Sequence, residues 1–163
     1  ATENVHASTF AQRIKIVNAD ILDYNDAQRF DAIVSNPPFF QNALECPELG
    51  RSRARHTASL PLDALIDTVY KLLVEGGTFA VILPTDVAER FMGTCISNHL
   101  FPNQITAVKT VPRKSPKRML MSFIKEKPNT ELIRDEIILA TATGERSEQY
   151  RALTNEFYLE KRN

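Results

Sequence analysis

The sequence predicts an α/β domain on a mainly parallel sheet with an antiparallel hairpin near its C-terminal end. Three observations predict it. Strand-like apolar runs alternate along the chain with segments of helical periodicity. The composition, 43% hydrophobic and 25% charged, is that of a folded protein, far from the low-hydrophobicity, high-charge regime of disordered chains. A length of 163 residues suits one core, since a domain ordinarily takes roughly 150 residues. Residues 1–163 are therefore expected to form a single domain.

The elements follow in order. Arg13 to Asn18 (RIKIVN) alternates apolar and polar residues and reads as a first strand. Ala32 to Ser35 is a short continuous apolar run, and Thr78 to Leu83 (TFAVIL) is another, both rich in strand-favouring residues. Between these two, Leu62, Leu65, Ile66, Val69, Leu72 and Leu73 recur at helical spacing, with Pro61 as the start signal and Gly76 and Gly77 as the stop. Thr85 and Asp86 offer an N-cap for a second helix, whose stripe includes Val87, Phe91 and Cys95 and which ends around His99. Gln104 to Val111 and Met119 to Lys125 read as strands joined by the turn-rich Pro112 to Lys117, too short for a crossover helix, so they pair antiparallel. Ser147 caps a last helix over Glu148 to Asn155, and Phe157 and Tyr158 beyond it read as core packing.

Several classes are excluded. No apolar run approaches the roughly 18 residues of a membrane span, and Ala1 to Phe10 lacks the basic flank and apolar stretch of a signal peptide, so a cytoplasmic protein without a membrane partner is expected. Cys46 and Cys95 form no C-x-x-C, and His6, His56 and His99 are scattered, so neither a disulfide framework nor a metal site is expected. His6 and His99 take surface or helix-end roles. The 20 basic and 20 acidic residues balance, but unevenly along the chain. Seven cations between Lys109 and Lys127 against Glu126 give +6, and Arg51, Arg53 and Arg55 add +3, so the remainder sums to −9.

Chemistry concentrates in DAIVSNPPFF, Asp31 to Phe40, where an apolar strand runs into Asn-Pro-Pro-aromatic. Proline fixes its own φ, lacks an N–H and drives the preceding residue out of the helical region, so Asn36, Pro37 and Pro38 make a stiff, extended strand exit. With the Asn36 side-chain oxygen and the Pro37 carbonyl facing one way, the pair would accept both hydrogens of one exocyclic amine while Phe39 stacks on the ring bearing it. The amine of adenine is a poor nucleophile because its lone pair is delocalised into the ring. Two acceptors favour a pyramidal nitrogen that can attack the methyl of a sulfonium donor held in line, with positioning and electrostatics supplying most of the rate. The blander reading is a proline-terminated strand with Phe39 in the core.

On these residues, N-P-P-aromatic at a strand end resembles the amino-methylating S-adenosylmethionine-dependent methyltransferases. SNPPFFQNALECP, RSRARH, GGTFAVILP and SEQYRALTNEFYL together look like the bacterial tRNA adenine N6-methyltransferase family, which modifies adenosine next to the anticodon of a valine tRNA. The likeness runs from about Val5 to Leu159. It implies a Rossmann-like class I methyltransferase fold, tRNA as partner and S-adenosylmethionine as cofactor. Carried over, it makes Asn36 and Pro37 the amine acceptors, Pro38 the rigidifier and Phe39 the stacking surface. It also places Asp20 and Ile21 at the donor's adenosine, with Asn36 shared between donor and acceptor sites. Without the resemblance, Asp20 reads as a turn-capping aspartate.

One departure matters. None of the five glycines lies in a G-x-G arrangement, whereas a donor loop needs glycine for close backbone approach. About two β–α units are therefore expected to be missing at the N-terminus, leaving an N-terminally truncated fold that binds the donor poorly. Arg51, Arg53, Arg55 and His56 follow the corner and suit a flap clamping phosphates beside an extruded base. Arg113, Lys114, Lys117 and Arg118 suit a hairpin tip touching RNA. For both, the alternative is a solvated loop. A guanine N2-methyltransferase of ribosomal RNA, a protein glutamine N5-methyltransferase and a non-catalytic RNA-binding fragment remain open as functions.

Overall fold

The computed structural model describes residues 1–25, 27–38 and 60–158. A short helix α1 (Thr2–His6) and a 3-10 turn (Ala11–Arg13) precede β1 (Phe30–Ser35), α2 (Leu62–Leu72), β2 (Leu73–Pro84) and α3 (Thr85–Ser97). There follow β3 (Phe101–Lys109), β4 (Arg118–Ile124), β5 (Ile133–Ile138) and α4 (Glu148–Thr154), with a final 3-10 turn (Asn155–Phe157). The five strands form one sheet in the order β1-β2-β4-β3-β5. β1 runs parallel to β2, and β3 to β5, while β4 lies antiparallel to both β2 and β3. Four strands thus point one way and only the returning arm of the β3–β4 hairpin points the other, as the short Pro112 to Lys117 linker requires.

Alternation along the strands sets two unlike faces. Phe79, Val81 and Leu83 of β2, Ile105 of β3, and Met121 and Phe123 of β4 are buried on one face. Leu65, Ile66, Val69 and Leu72 of α2 and Ala88, Phe91 and Cys95 of α3 are the buried helical positions, and all but Leu72 join these strand residues in one cluster. Phe79, Phe91 and Phe123 meet with ring centroids 6.1–6.3 Å apart, a geometry that adds to the simple gain from burial. The other face carries Val34, Ala80, Ile82, Leu120 and Ser122, and among the described residues no helix covers it: Val34 is 82% exposed.

Several expectations are corrected. Ile14 to Asn18 follows the 3-10 turn but joins no ladder; Ile14, Ile16 and Val17 are exposed, and the segment faces the free edge of β1 across a groove without pairing to it. α2 ends at Leu72, and Gly76 and Gly77 fall inside β2 rather than stopping the helix. There they serve an irregularity: β2 advances from Leu73 to Thr78 while β1 advances from Phe30 to Ala32. Gly76 takes φ 71°, and a Cβ on Gly77 would lie 2.8 Å from the Val74 carbonyl oxygen. Thr85 and Asp86 lie inside α3, whose N-cap is Pro84 with no side-chain cap bond. α3 closes on His99 at φ 60°, with the Leu100 N–H bonding the Cys95 carbonyl at 2.9 Å, a left-handed closure usually given to glycine. Phe157 and Tyr158 are not core: they are 84% and 45% exposed.

β5 is the strand absent from the sequence expectation. Its run, IRDEII, is charged at its centre. Two of its three charges are met across the ladder, Asp135 accepting from Gln104 at 3.0 Å and Glu136 pairing with Lys109 at 2.7 Å. The outer edge of β5 is covered by the Gln149 amide of α4, which donates to the Glu136 carbonyl at 2.9 Å and accepts from the Ile138 N–H at 3.2 Å. Ser147 caps α4 as expected, accepting from the Tyr150 N–H.

Candidate functional site

The carboxyl ends of β1, β2, β3 and β5 share one edge of the sheet, the edge at which open α/β sheets bind ligands. β1 delivers the chain there: Ser35 pairs with Val81, and the next residues are Asn36, Pro37 and Pro38. Pro37 is buried while Asn36 and Pro38 are exposed. A buried, φ-fixed ring thus anchors a corner that presents an asparagine amide outward. Among the described residues Asn36 makes no side-chain hydrogen bond, so both ends of its amide are open to a ligand. With Val34, Ile82 and Leu120 it lines a shallow cavity of about 440 Å³ on the open face. Phe39 lies outside the described residues.

Asp20 and Ile21 lie elsewhere. The Leu22 N–H donates to Asp20 Oδ1 at 2.9 Å, and the Asp23 N–H to the Asp20 carbonyl at 3.2 Å, so Asp20 closes a turn with one carboxylate oxygen and keeps the other. Ile21 packs against the core and lines a groove of about 620 Å³ along the unpaired edge of β1, with Val17, Ala19, Ala32 and Ile33. That volume is within the range of small-molecule sites. Arg13 and Lys15 also border this groove. None of the described glycines, Gly76, Gly77, Gly93 and Gly144, lines it, although Gly77 packs close to the Phe30 carbonyl at its border. Neither Asp20 nor Asn36 lines it. The three residues expected at the donor are therefore not gathered in one cavity.

The basic hairpin tip does share an edge with Asn36. Arg118 pairs in register with Pro84 and Val108, the carboxyl ends of β2 and β3, so residues 110–117 project from the carboxyl edge. The Lys117 N–H bonds the Val108 carbonyl at 3.1 Å, and the Thr85 hydroxyl donates to the Pro116 carbonyl at 2.9 Å, holding the tip against the start of α3. Arg113, Lys114 and Lys117 are exposed. Strands lie about 4.8 Å apart, which puts this tip about 10–15 Å from the Asn36 corner. Two of the seven cations counted in this stretch are structural instead: Lys109 pairs with Glu136, and Lys125 bonds Glu75 and the Leu73 carbonyl and sits 4.5 Å over the Tyr70 ring. Arg51, Arg53, Arg55 and His56 lie outside the described residues.

Sequence reasoning missed one feature of this edge. The Ala140 N–H bonds the Thr110 carbonyl at 2.9 Å, and Ala140 pairs with Arg146. Arg146 is thereby seated beside the root of the basic tip, with its guanidinium 3.7 Å from the Tyr158 ring centroid. The only sequence signal was an arginine preceding a tyrosine-rich end, which does not by itself separate surface from core.

No helix among the described residues is long and apolar enough to cross a membrane, and none of their His, Cys, Asp and Glu side chains gather in threes as a metal would need.

Comparison with known proteins finds relatives over nearly the whole chain. A Bacteroides thetaiotaomicron protein named tRNA1(Val) (adenine(37)-N6)-methyltransferase is 42% identical over 159 residues, covering 98% of this chain and 66% of the relative. A Bacteroides fragilis protein of the same name is 36% identical, covering 98% and 68%, and one from Actinobacillus pleuropneumoniae is 35% identical, covering 98% and 66%. The chain spans about two thirds of the length of these relatives. No family model matches it. Among solved structures, a predicted O-methyltransferase from Agrobacterium tumefaciens superposes with a TM-score of 0.65 at 18% identity, over 90% of this chain and 64% of the other; that likeness supports the fold.

Proposed function

Since the chain belongs to the tRNA1(Val) (adenine(37)-N6)-methyltransferase family, we propose that it carries the acceptor half of an enzyme that methylates the exocyclic amine of an adenine in tRNA, in the cytoplasm. The observation that supports this most is the corner itself: an exposed Asn36 amide fixed on a buried Pro37 at the carboxyl edge of the sheet. Asn36 Oδ1 and the Pro37 carbonyl oxygen each accept one N–H of the amine, drawing the nitrogen out of conjugation with its ring. As the nitrogen gains positive charge, the same two acceptors hold it, and its extra proton leaves to water. Phe39 stacks on the purine. S-adenosylmethionine, when bound, supplies the electrophilic methyl carbon. Asp20 and Ile21 orient its adenosine end.

Arg113, Lys114, Lys117 and Arg118 on the hairpin tip, with Arg51, Arg53, Arg55 and His56 after the corner, hold phosphates around the extruded base. The enzyme needs no titrating base, since positioning of an uncharged amine carries the rate.

The test is a chain extended to the relatives' full length, incubated with tRNA1(Val) and analysed by mass spectrometry of its nucleosides. N6-methyladenosine is expected, and Asn36→Ala lowers its rate of formation by about 10²–10³-fold, the usual loss on removing one preorganised hydrogen-bonding group. A methylated guanosine or a methylated protein glutamine as the product, or near-normal turnover in the variant, overturns the reading.

A further inference from the structure

We propose that Phe157, Tyr158 and Arg146 form a platform on which unpaired bases of the RNA stack, at the opposite end of the carboxyl edge from Asn36. The proposal rests on the reading that the substrate is RNA, and it adds a binding surface remote from the transferred methyl group. Phe157 is 84% exposed and Tyr158 45% exposed, so neither ring is placed by core packing. Tyr158 is nonetheless held. Its hydroxyl hydrogen-bonds that of Tyr150 at 2.9 Å, its ring meets Tyr150 edge-on at 6.5 Å and 68°, and the Arg146 guanidinium lies over its face at 3.7 Å.

An exposed guanidinium layered on an aromatic ring is a surface that bases favour: stacking on aromatic and arginine planes is how proteins hold unstacked nucleotides, with little regard to sequence. Phe157, the preceding residue in the chain, adds a second exposed ring. The positive charge that favours a polyanion is carried by the neighbouring tip and not by the platform's own surroundings, where Glu145, Glu148 and Glu156 are exposed beside Arg146 and Arg151. Arg146 is seated beside the root of the tip bearing Arg113, Lys114 and Lys117, through the Ala140–Thr110 bond and the Ala140–Arg146 pairing. An apolar protein partner would have to bury those cations at a cost, whereas a polyanion with ring-shaped faces satisfies cations and rings together. β1 and β5 are four strand spacings apart, about 19 Å, so the platform engages nucleotides flanking the target and fixes the register of the RNA while Asn36 holds the amine.

The chain contains no tryptophan, so Phe157→Trp introduces a single fluorophore at the platform. Titration with an anticodon stem-loop RNA is expected to quench it. An abasic strand of equal length and charge is expected to leave it bright. Phe157→Leu, which keeps the apolar bulk without the ring, is expected to weaken RNA binding by roughly fivefold to a hundredfold, and Phe157→Tyr to restore it. Circular dichroism of each variant should match the parent, because the residue is exposed.

RNA affinity unchanged in Phe157→Leu, quenching by the abasic strand equal to that by RNA, or a chain that binds no RNA overturns the platform. So does a tryptophan that responds to protein concentration and not to RNA, which would mark a surface for a second copy. Quenching by RNA in a chain whose full-length form methylates no adenine would count against the proposed reaction and leave the platform standing. Methylation with an unquenched tryptophan would remove the platform alone.

Discussion

At the end of β1 the chain turns on an exposed amide, Asn36, and a buried ring, Pro37. Their part in the fold was legible in the sequence because proline acts on its own φ and on its predecessor, wherever the chain is placed. Burial is a tertiary property, and there single residues misled. Phe157 and Tyr158 look like core from their side chains alone, yet they lie on the surface because α4 follows the outer edge of β5 instead of the helix-covered face. Cys95 is the opposite case. It is fully buried in α3, and burial pushes its thiol far above the ordinary cysteine range. The unfolded thiol ionises first as pH rises, so this site's contribution to stability is complete below the ordinary cysteine range and declines above it, toward the folded value. In a Cys46→Ser variant at mildly alkaline pH, Cys95 is therefore expected to react with a thiol reagent only as fast as the chain unfolds. Reaction at the rate of a free thiol would contradict its burial.

At the scale of elements, the β3–β4 hairpin and helices α2 and α3 were readable because each carries its own period, while the punctuation expected at Gly76, Gly77, Thr85 and Asp86 did not mark the helix ends. β5 was not. An edge strand buries little, so IRDEII shows none of the apolar alternation of a half-buried strand, and its charges make sense only beside Gln104 and Lys109 of β3. RIKIVN failed the other way. It has the alternation but stays unpaired across the groove from the edge of β1, and a strand requires a bonded partner as much as a pattern. Gln149 closes the β5 edge with its amide, a device that removes an open template for strand pairing. Gln149→Ala deletes both bonds and is expected to cost about 1–3 kcal/mol, read as a lowered urea midpoint. An unchanged midpoint would show that the amide does not hold the edge.

Across the whole molecule, a neutral net charge conceals a polarised surface. The hairpin tip carries its cations at the same edge as Asn36, whereas Lys109 and Lys125 are spent on ion pairs within the fold. The sequence showed that the cations cluster but not which ones remain for a ligand, since that depends on what each reaches across the sheet. Replacing Arg113, Lys114 and Lys117 by alanine is expected to reduce the steepness of the log–log salt dependence of RNA binding by about 2–3. The same steepness in parent and variant would remove the tip from the interface.

The claim on which the mechanism depends is that Asn36 grips the amine of the target adenine, and a chemical double-mutant cycle measures that contact alone. RNA stem-loops carrying either adenine or the amine-free purine at the target position are titrated against the full-length parent and its Asn36→Ala variant. If the grip is real, Asn36→Ala weakens binding of the adenine RNA by about tenfold, as loss of a buried hydrogen bond does, and barely alters binding of the amine-free RNA. Equal losses for both RNAs would place Asn36 away from the amine and contradict the account.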